Sequence, residues 1–238
     1  MIEPAELQSW LLFEDRDLIA IDKPAHVLCH PSKLGPWSSL AGACREHFHL
    51  KKIHLPSRLD RETSGIVVIA KNERVGSLVQ QAVANREIHK TYYALLYGIL
   101  PDPLTVDQPI GPDPTATVIA RRAVVPDGQQ AVTIFEPLTH GDDITLVRVL
   151  PQTGRRHQIR VHARHIGHPV IGDKLYAASD QLFLDFIAHT WTPEMEQVLW
   201  LTRQALHCGD WRYSNYHFQA PLPQDWNALA HRINLRNV

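Results

Sequence analysis

A carboxylate between two guanidinium groups stands in Arg58-Leu59-Asp60-Arg61-Glu62-Thr63-Ser64-Gly65, directly ahead of the apolar run Ile66-Val67-Val68-Ile69-Ala70. The run has the length and β-branched content of a buried strand. Gly65 and the two hydroxyl residues before it are turn chemistry, because glycine accepts backbone angles closed to other residues and Ser/Thr side chains bond nearby amides. Asp60 is therefore expected on a short, rigid approach to a core strand. If Arg58 to Asp60 is extended, their side chains share one face and Leu59 turns the other way. Such a carboxylate can attack an electrophile or take up a proton. It can equally be half of a surface ion pair that stabilises by about 0–1 kcal/mol. Local chemistry leaves both readings open.

A second concentration of charge lies in Thr153-Gly154-Arg155-Arg156-His157-Gln158-Ile159-Arg160-Val161-His162. Thr153 can cap a helix running to Gly167, a good C-terminal stop, and Arg156, Arg160 and Arg164 then form one stripe at every fourth residue. The bland reading is a solvated basic face. Between Ile144 and Gly172 the chain has no Asp or Glu, and Arg148 and Arg155 add to the positive charge there. Net charge over all 238 residues is only −1. A local basic face on a neutral protein suits a specific nucleic-acid site better than indiscriminate coating of RNA.

The elements that must position these groups can be read in order. Leu18-Ile19-Ala20-Ile21 is a short buried strand after an Asp15-Arg16-Asp17 turn, ended by Lys23-Pro24. Ser38 to Phe48 is helical with Ser38 or Ser39 as N-cap. Asn72 caps a helix whose apolar face is Val75, Leu78, Val79, Ala82 and Val83. Lys90-Thr91-Tyr92-Tyr93-Ala94-Leu95-Leu96-Tyr97-Gly98 is a strand. Leu100 to Ala131 is a connection of turns with one or two short strands. Val132–Phe135 and Ile144–Leu150 form a hairpin around His140-Gly141-Asp142-Asp143. Phe183 to Trp200 is helical in patches, with a second helix start at Thr192-Pro193-Glu194.

With 44% hydrophobic and 21% charged residues the composition is that of a soluble globular protein. Three scattered cysteines, no export signal and no apolar run near the ~20 residues that span a bilayer point to a cytoplasmic protein without membrane contact. Among the fifteen histidines, neither His26, Cys29 and His30 nor His157, His162, His165 and His168 has a known zinc spacing, so no metal is expected.

Arg58-Leu59-Asp60-Arg61-Glu62-Thr63-Ser64-Gly65 resembles the signature of the RluA-type pseudouridine synthases. Lys90-Thr91-Tyr92-Tyr93-Ala94 ending at Gly98 resembles that family's second motif, and Thr153-Gly154-Arg155-Arg156-His157-Gln158-Ile159-Arg160 its third, continued by Gly167 to Tyr176. Asp22-Lys23-Pro24 with His30-Pro31, Leu206-His207-Cys208, and Phe218 to Pro223 match weaker family stretches. The resemblance covers about Leu12 to Pro223 and implies a single catalytic domain over 1–238, with no S4-type RNA-binding domain. The implied fold is α+β, with a mixed, largely antiparallel central sheet, flanking helices and an RNA-binding cleft. The implied reaction is isomerisation of specific uridines in ribosomal or transfer RNA, with base flipping of the target.

In the resemblance Asp60 is the nucleophile, Tyr92 stacks on the uracil or assists proton removal at C5, and Arg160 keeps Asp60 charged against desolvation. Arg58 fills the vacated stack or grips the flipped nucleotide, while Arg155, Arg156 and Arg164 contact phosphates. The isomerisation loses no atoms and changes no redox state, so no cofactor is expected, nor an obligate protein partner, and the chain is expected to act as a monomer. Departures are Ser57 where the family often has His, Gln129 for a Lys, Cys208 for Ala, and Arg212-Tyr213-Ser214-Asn215-Tyr216 for a His-Pro-x-x-Gly hairpin. Rival readings are a non-catalytic RNA-binding or chaperone protein on the same scaffold, and a nucleoside hydrolase using Asp60 as base.

Overall fold

The computed structural model describes residues 1–31, 33–189, 191–229 and 231–233. In chain order the elements are α1 (Pro4–Ser9), β1 (Leu11–Glu14), β2 (Leu18–Lys23), α2 (Leu40–His47), β3 (Ser64–Ala70), α3 (Glu73–Ala84), β4 (His89–Tyr97), β5 (Leu104–Asp107), β6 (Ile110–Pro112), β7 (Arg122–Val124), β8 (Val132–His140), β9 (Ile144–Pro151), α4 (Gln158–His165), α5 (Asp180–His189), α6 (Pro193–Leu199), β10 (Leu206–Tyr213) and β11 (Tyr216–Gln219). They fall into two compact units, one of residues 1–90 and 207–221, the other of residues 91–206 and those after 221.

In the first unit the strand order is β1-β2-β3-β10-β11. The pairings are antiparallel except β3 with β10, where Ser64 and Gly65 lie parallel to His207 and Cys208. Every residue of β3 is buried, which is why its sequence is an unbroken apolar run rather than an alternating one. The helix caps follow the sequence. Ser39 Oγ accepts the Gly42 N–H at 3.2 Å, and Asn72 Oδ1 accepts the Val75 N–H at 3.0 Å. The buried face of α3 is Val75, Gly76, Val79 and Ala82, with Leu78 outside it. The face turns toward Gly76 because His54 packs there: a Cβ on residue 76 would lie 2.6 Å from His54 Cβ.

In the second unit β4-β9-β8-β5 run antiparallel. The expected hairpin forms, but β8 continues to His140 through a register irregularity between Pro137 and Thr139. The connection from Leu100 holds more strand than expected: β5, then a β6–β7 hairpin packed on α4. Thr192 Oγ1 caps α6 by accepting the Met195 N–H at 3.3 Å. Thr190, inside the stretch expected to be helical, lies outside the described residues. The chain is α+β, with mostly antiparallel strands.

Candidate functional site

The loop leading into β3 in the first unit has the alternation of an extended approach: Arg58 is exposed, Leu59 is buried and Asp60 is half-buried. Its ties reach largely into backbone. Lys23 is wholly buried, and its Nζ donates to the carbonyls of Pro24 at 2.8 Å and of Arg61, the residue after Asp60, at 3.2 Å. Arg61 Nε donates to the His26 carbonyl at 3.3 Å. Ser57 accepts a 2.8 Å bond from Lys90 Nζ. Burial pulls the Lys90 amine below the usual lysine range. Cys29 is buried against the same loop, so its thiol is pushed up. The Leu59 amide and the charges of Lys23, Asp60 and Arg58 act on it too.

The residues just before the strand differ from expectation. Ser64 and Gly65 belong to β3 itself rather than to a turn ahead of it. Gly65 has φ +107°, and a Cβ there would lie 2.3 Å from the Cys208 carbonyl oxygen. Only glycine lets the backbones of β3 and β10 approach this closely. Ser64 Oγ and His207 Nδ1 add a 2.9 Å bond across the same pairing.

In the second unit Tyr92 is buried on β4, opposite Val149 of β9. Arg160 is buried on α4, where Nε and Nη2 make a bidentate pair with Asp173 Oδ2 and Oδ1 at 2.6 and 2.9 Å. Asp173 Oδ1 also accepts the N–H groups of Leu175 and Tyr176, at 3.0 and 3.2 Å. The Arg160 guanidinium lies 4.8 Å from the Tyr176 ring centroid. The Tyr176 hydroxyl accepts the Arg122 N–H at 2.9 Å and is 2.8 Å from His157 Nδ1.

The basic stripe expected on one helix does not form. Helix α4 starts at Gln158, so Arg155 and Arg156 lie ahead of it, and Arg160 faces inward while Arg164 is exposed. The reason lies in Thr153 and Gln158. Thr153 Oγ1 accepts the Val132 N–H and donates to Gln158 Oε1, so it ties the loop to β8 instead of capping a helix. Buried Gln158 also accepts the Arg155 N–H and donates to the Val132 carbonyl and Thr133 Oγ1. His157 takes the N-cap position at φ +58°. The stop at Gly167 holds, with φ +82° and bonds from Gly167 N to Arg164 O and from His168 N to Ala163 O. Arg155 Nε donates to the Gln130 carbonyl and Arg164 Nη1 to the Tyr176 carbonyl, at 3.0 and 2.6 Å.

Several of the histidines act as hydrogen-bonding residues. His162 is wholly buried between Thr133 Oγ1 and the Gln108 carbonyl, and burial first of all lowers its pKa, keeping it neutral. His168 Nδ1 bonds the Tyr97 carbonyl at 2.8 Å. Among the described residues no group of three or more His, Cys, Asp or Glu side chains is placed to hold a metal ion. No described helix is long and apolar enough to cross a membrane. Sequence reasoning missed Asp173 as a partner, although it is the first carboxylate after the acid-free stretch. It also missed Lys23 and Lys90, which look like ordinary surface lysines in the chain.

Residues 17–165 match the family model described as RNA pseudouridylate synthase. The chain is 36% identical over 240 residues to the uncharacterized RNA pseudouridine synthase YjbO of Bacillus subtilis, covering 96% of this chain and 77% of that one. It is 31% identical to the ribosomal large subunit pseudouridine synthase D of Escherichia coli, over 94% of this chain and 70% of that protein. It spans only 59–66% of the length of several other bacterial relatives. The solved structure of human RNA pseudouridylate synthase domain containing 4 superposes with a TM-score of 0.76 at 24% identity, covering 98% of this chain and 96% of that one. At that identity the likeness bears on the fold.

Proposed function

The chain belongs to the RNA pseudouridylate synthase family, and from that premise we propose that it isomerises uridine in RNA to pseudouridine with Asp60 as nucleophile. The observation that carries this reading is how Asp60 is presented. The loop is clamped through the Arg61 carbonyl, the Ser57 hydroxyl and the glycine contact of β3, while the Asp60 side chain stays half-buried rather than sealed in the core.

Pseudouridine formation breaks the C1′–N1 bond, turns the uracil and rejoins it through C5, with loss of the C5 proton. Asp60 attacks the nucleoside at C1′ or by an equivalent route. Tyr92 stacks on the loosened uracil and assists removal of the C5 proton. Arg160 keeps the nucleophile ionised, and Asp173 sets the angle of its guanidinium. Arg58, exposed beside Asp60, occupies the place left by the flipped base. Arg155, Arg156 and Arg164, all exposed, contact phosphates. The two units work as one catalytic domain, in the cytoplasm, as a monomer and without an obligate protein partner.

The substrate is ribosomal RNA, transfer RNA or both; the name of the Escherichia coli relative favours ribosomal RNA. Pseudouridine mapping of both RNA classes, with and without the gene, tests the reading. At least one site should vanish on deletion and return with the wild-type gene, but not with Asp60→Asn. Identical maps would refute the activity. Restoration by Asp60→Asn would leave the scaffold as an RNA-binding or chaperone protein.

A further inference from the structure

The first unit holds a cavity of about 300 Å³ that the roles above do not use. One wall is the segment Ile53 to Pro56, which runs directly into Ser57-Arg58-Leu59-Asp60. Pro31, Leu55 and Pro56 give it apolar surface, and His30, His54 and Gln80 bring hydrogen-bonding groups. The His54 side chain is seated against Gly76 of α3, where a Cβ would meet it at 2.6 Å, so this ring has a fixed place. Desolvation and the charge of Arg58 lower the pKa of His30, which sets the cavity within electrostatic reach of that arginine.

Small-molecule sites run from about 300 to 1,000 Å³. This cavity sits at the low end, enough for one flat ring and too little for a nucleotide with its sugar and phosphate. Apolar walls suit the faces of such a ring, and imidazole and amide groups suit its donor–acceptor edges. A carboxylate or phosphate would find no cation among the lining residues. RNA that delivers a uridine to Asp60 necessarily brings the neighbouring nucleotides past the same loop.

We propose that this cavity receives the base of a nucleotide adjoining the target uridine, so that it reads sequence context; this rests on the activity proposed above. Gln80 and His30 are exposed on the cavity rim and can be changed without disturbing the core. The test uses an in vitro transcript spanning a mapped uridine, and the same RNA with an abasic nucleotide on either side. At one of the two positions the abasic change should raise KM of the wild-type enzyme roughly tenfold, with kcat little changed. His30→Ala with Gln80→Ala should raise KM similarly on the intact RNA. The two losses should not multiply, because both remove the same contact.

The proposal is overturned if neither abasic RNA affects the wild-type enzyme. It is equally overturned if the abasic change costs the double variant the full wild-type factor on top of its own loss. A wild-type enzyme that forms no pseudouridine in the intact transcript would instead refute the activity itself.

Discussion

The loop that carries Asp60 and the helix that carries Arg160 are both rich in charge, yet they are held in opposite ways. The loop is gripped mostly from behind, through backbone. Lys23 and Arg61 reach carbonyl groups, Lys90 reaches the Ser57 hydroxyl, and a glycine seals the strand junction. The helix is gripped through its side chains. Gln158, His162 and Arg160 each bond partners within the same unit. Backbone clamping fixes a chain path and leaves the side chain on it available for chemistry. Side-chain clamping fixes the side chain itself.

Three carboxylates can break or sharpen that contrast. The largest effect belongs to Asp60→Asn. Turnover should fall on the order of 10³-fold or more, as for loss of a nucleophile, while the denaturation midpoint and RNA affinity change little. A midpoint that collapses would mean that Asp60 is committed to the fold after all. Asp173→Ala should instead cost stability as well as turnover. It leaves Arg160 buried without its bidentate partner, and denaturant unfolding should report a loss of about 3–5 kcal/mol. A cost near zero would show that the pairing is dispensable to the second unit.

Asp22, on β2, is a half-buried carboxylate of the first unit, and desolvation, only partly offset by Lys23, pushes its pKa up to about 6. A carboxyl held above its unfolded value of 3.8 binds its proton more tightly in the fold. Its contribution is therefore present at low pH and is lost as pH rises through about 6. Asp22→Asn should raise the thermal midpoint at pH 8 and leave it unchanged at pH 3.5. An equal shift at both values would refute the titration argument. The smallest effect concerns exposed charge: Arg164→Ala should reduce the salt slope of RNA binding by about 0.7–0.9. Arg148→Ala should leave the slope alone, since Arg148 pairs with Glu136 at 2.6 Å. Equal slopes for both variants would reduce Arg164 to a solvated charge.

Much of this was legible in the chain. The buried strand after the Asp60 motif, the caps at Ser39, Asn72 and Thr192, the Gly167 stop and the β8–β9 hairpin all follow from local rules. The misses share one cause, which is that their decisive contacts are distant in sequence. Thr153 looked like a cap because nothing local says that its hydroxyl belongs to Val132, 21 residues away. Leu78 looked buried because the pull of His54 on Gly76 cannot be read from helical spacing. The arginine stripe failed because a four-residue period means one face only once the helix start is known. For the residues proposed to act in catalysis and RNA binding, residue types and spacing alone left the roles open, and the motif resemblance suggested them.

The glycine at position 65 has a consequence for the order of events in the cell. Its neighbour, Cys208, and the partner of Ser64, His207, are made 143 residues after the strand they join. Until they leave the ribosome, β3 lacks its parallel companion and the loop ahead of it lacks its seat. A nascent chain can therefore hold the complete Asp60 motif while 143 further residues are added and still lack the contacts that fix the loop.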